Sequence, residues 1–253
     1  MKNVLINGIT VAYERLGEGT PLMLIHGFPL DHTIWNETAF LLKNDFDLLL
    51  PDLRGFGQSS ATDAPYTIPD MADDLAGLLD RLGVEQIALA GHSMGGYVAL
   101  AFAKKYPQRV SGIALVASQT IADTLERKEG RAKTAALVAK NGVRIVADSM
   151  TAKFSAHENT QNLIRDLINR QNKSGVTGAL KAMAEREDLS SLLASFNFHV
   201  VLVHGDADDL ISVDRAREAQ ALLPSARLIE LPNIGHAPMM DAAEKIAEAL
   251  TLL

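Results

Sequence analysis

"QIALAGHSMGG" (86–96) runs from an unbroken apolar stretch into three glycines grouped around one serine, Ser93. Glycine weakens the interior of a strand or helix, so glycines placed where an apolar run stops need a reason. A tight turn from strand into helix supplies one. In such a turn the strand and helix come so close that side chains at 91 and 95 would collide. The turn forces Ser93 into a strained backbone conformation and holds its hydroxyl out at the carboxyl end of a sheet, where open α/β sheets bind ligands. It also sets the Met94 N–H at a helix N-terminus, aimed at any negative charge that develops on a bound group. Gly-x-Ser-x-Gly arises by chance in ordinary sequences. The strand before it and the helix after it give it meaning.

Outward from this turn the same alternation repeats. Short apolar runs occupy 21–27, 46–53, 86–92, 110–118, 199–206 and, more weakly, 226–233. Runs without polar alternation suit strands covered on both faces, as in a parallel sheet. Helical patterns lie between them: 68–83, opened by Pro69 and Asp70 and closed by Gly83; 93–107, ended by Pro107; and an amphipathic stretch at 241–253. The first segments read as a hairpin turning at Asn7-Gly8. This order predicts an α/β fold: a doubly wound, mostly parallel sheet. From Gln119 to Phe196 the rhythm breaks into helical patterns without a strand, with breaks at Gly142 and Gly175. The expected division is a core of residues 1–118 and 197–253 with a helical insertion at 119–196.

The chain has 253 residues, 47% of them hydrophobic, which fits a large core. Its net charge of −7 lacks the electrostatic footprint for nucleic acid and is repelled by anionic membranes. With no cysteine, disulfides, thiolate nucleophiles, Cys-ligated zinc and iron–sulfur clusters are excluded. The N-terminus reads as strand and turn rather than as a signal peptide, and no apolar run approaches a membrane span, so a cytoplasmic protein is expected.

A serine hydroxyl at neutral pH needs a base, and the base needs orienting. Of seven histidines, His236 lies in a Gly-containing loop after the last expected strand, at the strand carboxyl ends. His26 and His92 read as structural, His199 and His204 as packing or loop-bonding groups, and His32 and His157 as surface or pocket-lining residues. The orienting acid should follow a strand and precede His236. "VVLVHGDADDLIS" offers Asp206, Asp208 and Asp209. In Gly-x-x-Asp spacing Asp208 turns the corner to face the histidine loop, while Asp206 suits the turn and Asp209 suits solvent. Ser93, Asp208 and His236 then follow the chain order Ser…Asp…His of one hydrolase architecture. A second amide donor is expected from Phe28, after the strand that ends in "LIHGFPLDH". Asp52 and Arg54 are assigned to bond the backbone of the loop "PDLRGFGQS", whose glycines match no complete phosphate-loop pattern.

With these residues in view, the chain resembles the α/β-hydrolase superfamily over nearly its whole length. The resemblance is carried by "HGFP", "DLRGFGQS", "GHSMGGYVALAFAKKYPQRV", "GDADDLIS" and "GHAPMMD" in family order. It looks most like small serine esterases and 3-oxoadipate enol-lactonase-like hydrolases, although many such lactonases carry leucine where this chain has His92. The resemblance implies Ser93 as nucleophile, Asp208 as acid, His236 as base, Phe28 and Met94 as oxyanion donors, and the helical insertion as a cap. Ser93 argues against the haloalkane dehalogenases and epoxide hydrolases of this fold, whose nucleophile is aspartate. The expected reaction is hydrolysis of small, largely uncharged carboxylic esters through an acyl-enzyme, with no metal or organic cofactor; a lactonase or enol-lactonase with the same three residues is the alternative. A carbon–carbon bond hydrolase or a ligand receptor retaining the same three residues stays open. Phe28, Trp35, Met94, Met150, Phe154, Met183 and Met239 are candidates for an apolar cavity; each could equally be core.

Overall fold

The computed structural model describes all 253 residues. Eight strands form one sheet: β1 (Lys2–Ile6), β2 (Ile9–Leu16), β3 (Thr20–Ile25), β4 (Phe46–Pro51), β5 (Ile87–His92), β6 (Val110–Val116), β7 (His199–Gly205) and β8 (Arg227–Leu231), in spatial order β1-β2-β4-β3-β5-β6-β7-β8. The six strands from β3 onward pair in parallel, and the opening hairpin adds its two strands antiparallel on the β4 side. Asn7 and Gly8 both have positive φ, as a two-residue hairpin turn requires. The expected apolar runs are the parallel strands, and β5, whose residues are all buried, is covered on both faces.

The helices are α1 (Asn36–Leu42), α2 (Ile68–Leu82), α3 (Met94–Lys105), α4 (Leu125–Asn141), α5 (Arg144–Phe154), α6 (Glu158–Asn169), α7 (Lys173–Ala184), α8 (Ser190–Leu193), α9 (Asp214–Leu222), α10 (Pro238–Asp241) and α11 (Ala243–Leu250). At the start of α2, Thr67 and Asp70 cap each other's backbone N–H groups, and at its end Gly83 adopts the left-handed conformation. Between β6 and β7 the chain forms only helices, α4 to α8. No helix is long and apolar enough to cross a membrane.

Two expected boundaries are corrected. Gly175 does not break a helix; it lies inside α7, which starts after the Asn172 cap. A Cβ on Gly175 would run into the Gly55 carbonyl, so this glycine serves a close approach between α7 and the loop after β4. The closing helix, expected over 241–253, is also shorter: α11 covers Ala243–Leu250. α10 and α11 meet at Ala242, which has a non-helical backbone (φ −147°, ψ 47°).

The chain moves outward from β3 to β4 on one side, then crosses back to β5 on the other. The loops after β3 and β5 therefore diverge, which opens a crevice at the strand carboxyl ends. Ile25 and Gly91 pair at that end, placing the segment of Phe28 beside the turn of Ser93.

Candidate active site

Ser93 has φ 49° and ψ −113°, outside the regions open to most side chains. Holding a residue there costs about 1–3 kcal/mol, and the surrounding backbone imposes it. A Cβ on Gly91 would strike Gly95, one on Gly95 would strike the Ile25 carbonyl, and one on Gly96 would strike Ser118. The glycines that crowd around Ser93 in the sequence are thus the places where β3, β5, α3 and the segment after β6 touch. Ser118, after β6, donates its hydroxyl to the Ser93 carbonyl at 2.7 Å and braces the turn.

The hydroxyl of Ser93 lies 2.9 Å from His236 Nε2. His236 Nδ1 lies 2.7 Å from Asp208 Oδ2. The imidazole and the carboxylate are buried, while Ser93 is half-buried. Because Asp208 can only accept, the neutral imidazole carries its proton on Nδ1 and turns the lone pair of Nε2 toward Ser93. Asp208 Oδ1 accepts the N–H groups of Leu210 and Ile211 at 2.8 and 2.9 Å. Burial alone would raise the pKa of Asp208. The positive character of His236, the hydrogen bonds from His204 and His236 and the Ile211 amide outweigh it and hold the carboxyl well below its ordinary range. Asp206 and Asp209 are both exposed, and Asp206 accepts the Asn233 N–H across the two loops.

Around these three residues the other histidines have separate tasks. His92 is fully buried, its Nε2 donating to the His236 carbonyl at 2.7 Å. Burial, then the neighbouring His236, pushes its pKa well below the ordinary imidazole value, so it stays neutral. His26 accepts the Leu53 N–H on Nε2 at 2.9 Å and donates from Nδ1 to the Gly27 carbonyl at 2.9 Å, tying the loops after β3 and β4 together. His157 is exposed. His32 corrects the expectation of a surface or pocket position. It is buried, with Nδ1 2.7 Å from Asp52 Oδ1. Asp52 bonds its own loop at the Gln58 N–H, but Arg54 does not: it forks onto Asp74 of α2.

The Phe28 N–H makes no hydrogen bond to the protein, and the Met94 N–H, first in α3, has no acceptor within its helix. Both follow strands that pair directly, β3 and β5. Of the apolar candidates, Phe154 at the end of α5 lies against the site, its ring 5.3 Å from that of His236. Phe28 packs edge-on to Phe56 at 6.2 Å. Trp35 is fully buried with no partner for its indole N–H. Met239 is buried in α10, and Met150 is half-buried on α5. Met183 is turned to the packing of α4 on α7, its sulfur 3.4 Å from Arg131 Nη1.

The one cluster with metal-ligand spacing is Asp31, His32 and Asp52. Its oxygens are already engaged. Asp31 accepts from Arg170, Gln171 and Thr33, and Asp52 from His32 and Gln58. The donor set fits an ion-paired clasp between the loop after β3 and the α6–α7 junction.

Comparison with known proteins agrees with this architecture. A family profile described as the alpha/beta hydrolase fold matches residues 20–243. The chain is 30% identical over 251 residues to the dihydrolipoyllysine-residue acetyltransferase component of the acetoin cleaving system of Pseudomonas putida. That match covers 94% of this chain and 64% of the relative, so the chain spans less than two thirds of the relative's length. Among solved structures it is similar to a malate-bound thermophilic esterase from Thermogutta terrifontis, with a TM-score of 0.95 and 35% identity over 99% of this chain and 97% of the other. Its fold also matches the enol-lactonase of Burkholderia xenovorans, with a TM-score of 0.91 and 23% identity over 99% and 98% of the two chains. A strained serine between glycines, a sheet of this order and a family match across most of the sequence converge: the chain belongs to the α/β-hydrolase fold family.

Proposed function

We propose that the protein is a serine carboxylic ester hydrolase, acting on small, largely uncharged esters through an acyl-enzyme. The observation that carries this reading is the unbroken relay from Ser93 Oγ to His236 Nε2 at 2.9 Å and from His236 Nδ1 to Asp208 Oδ2 at 2.7 Å. In the first half-reaction Ser93 attacks the ester carbonyl carbon while His236 takes the hydroxyl proton. The carbonyl oxygen becomes an oxyanion facing the N–H groups of Phe28 and Met94. The tetrahedral intermediate collapses, His236 returns the proton to the leaving alcohol, and the acyl group remains on Ser93. Water, deprotonated by the same imidazole, then releases the acid. Asp208 keeps the imidazole in the useful tautomer and stabilises its positive charge.

The helices α4 to α8 serve as a cap in this reading. Phe154 sits on the His236 ring, and its carbonyl accepts the Ala237 N–H at 3.0 Å, so α5 and the histidine loop are held together. The similarity to the Thermogutta terrifontis esterase supports an ester as substrate.

The experiment is turnover of p-nitrophenyl acetate and butyrate by the wild type and by Ser93→Ala, with a panel of lactones in parallel. Wild-type turnover should fall by several orders of magnitude in the variant. A serine-directed phosphonate should label Ser93 alone. A wild type that neither cleaves an activated ester nor takes the label overturns the reading; cleavage of lactones in preference to esters moves the substrate to the cyclic class with the same chemistry.

A further inference from the structure

His204, the penultimate residue of β7, is completely buried four residues before Asp208. Its Nε2 lies 2.7 Å from the Ile211 carbonyl and 3.2 Å from Asp208 Oδ2, the same oxygen that receives His236 Nδ1. Both neighbours of Nε2 are acceptors, so Nε2 carries a proton. Nδ1 is buried without any partner. A proton there would be stranded, whereas an unused lone pair costs less, so His204 is the neutral Nε2–H tautomer.

That single N–H closes a set. Oδ1 of Asp208 takes the amides of Leu210 and Ile211, and Oδ2 takes His236 Nδ1, with the protonated Nε2 of His204 3.2 Å away on its other side. A carboxylate offers about four acceptor positions; three take hydrogen bonds from this chain, and the polarised N–H of His204 lies beside the fourth. The Ile211 carbonyl binds the proton of His204, so the loop carrying Asp208 is pinned to β7 one residue before the strand ends. We infer that His204 is a positioning residue for the reaction proposed above: it shares Oδ2 with His236, locks the carboxylate in the plane the imidazole needs, and keeps it ionised at the moment His236 becomes positively charged. The inference rests on the ester-hydrolase reading for its kinetic consequences. The charged and titratable groups facing this set are Asp208 and His236, His92 behind the His236 loop and Glu230 on β8.

Two substitutions separate positioning from packing. His204→Leu keeps bulk and removes the donor; His204→Gln restores an N–H near the position of Nε2. Positioning predicts that His204→Leu lowers kcat for p-nitrophenyl acetate by about tenfold to a hundredfold with KM nearly unchanged. His204→Gln should recover most of that loss. Wild-type kcat in His204→Leu overturns the inference, as does an equal loss in both variants with melting temperatures unchanged. Proton and nitrogen NMR supplies a readout that needs no turnover. In the wild type, His204 should show the Nε2–H tautomer, and the low-field His236 Nδ1 proton should shift in His204→Leu. An Nδ1–H or doubly protonated His204 overturns the inference even if neither variant folds. A protein with the expected His204 tautomer and shifted resonance but no ester turnover overturns the proposed function while leaving the contact intact.

Discussion

At the residue scale, the paired histidines and aspartates of this protein show how position sets protonation. His32 and His92 are both buried imidazoles with opposite fates. His92 donates to a carbonyl and sits beside another imidazole, so it is held neutral. His32 faces Asp52, with Asp31 and Glu14 nearby. Burial works against its proton, but the bond to Asp52 and the surrounding negative charge prevail and raise its pKa. A histidine whose pKa is raised by folding binds its proton more tightly in the native state. Its contribution is complete below the unfolded imidazole value, about 6.5, and is lost as pH climbs through the raised native value. Thermal denaturation of His32→Gln should therefore show a larger deficit relative to wild type at pH 6 than at pH 9. A deficit that is constant with pH, or grows toward alkali, would mean that the proton on His32 contributes nothing. Comparing the two proteins at each pH removes the acid destabilisation from His92, which the unfolded chain protonates and the native chain does not. Ser93, its glycines and Asp208 were legible in the sequence because close packing and strand-end spacing act locally. The burial of His32 was not legible, because its partner Asp52 lies in a different loop twenty residues away.

At the element scale, local preference and tertiary contact can oppose each other, and two helical glycines show it. Gly130 in α4 is exposed, and a Cβ added there would meet nothing within 4 Å. Gly130→Ala should stabilise the protein by about 0.5–1 kcal/mol, the ordinary gain in a helix interior. Gly175 in α7 has the same local preference, yet its missing side chain lets Gly55 approach. Gly175→Ala should destabilise by about 1–3 kcal/mol through overpacking. Urea midpoints measured on the two variants give the signs directly, and stabilisation by both would mean that α7 does not contact the β4 loop in solution. Legibility follows the same division. The parallel strands stood out because both faces are apolar, and α2 because its ends carry capping residues. α1 did not, because it exposes Phe40 and Leu41 while burying Thr38, the reverse of a readable stripe. α9 buries only Ala216 and Ala219, too little apolar surface to mark a face.

At the scale of the whole molecule, the inserted helices are joined to the sheet by shared core and by polar clasps. One continuous apolar cluster of 74 buried residues contains Leu24 and Leu89 of the sheet together with Val138, Phe154, Ile164 and Val176 of the insertion. Arg170 and Gln171 grip Asp31 after β3, Gln171 also accepts the Gly57 N–H, Tyr66 donates to the Gly175 carbonyl, and Thr160 donates to Asp241. A shared core and contacts to several loops leave no boundary at which the insertion can melt alone, so the chain should unfold in a single transition. Near-ultraviolet circular dichroism, reporting Trp35 near the sheet, and hydrogen exchange in α4 to α7 should give the same urea midpoint. Earlier exchange of those helices as a group would show an independently melting lid. The sequence by itself determined the alternation of strand and helix, the strained serine turn and the order Ser, Asp, His, because periodicity, capping and glycine crowding act over a few neighbouring residues. Only the tertiary structure decided which histidines and carboxylates meet. His236 lies 28 residues from Asp208 and 143 from Ser93, and a hydrogen bond over such a separation exists only once the sheet has set its strand ends side by side.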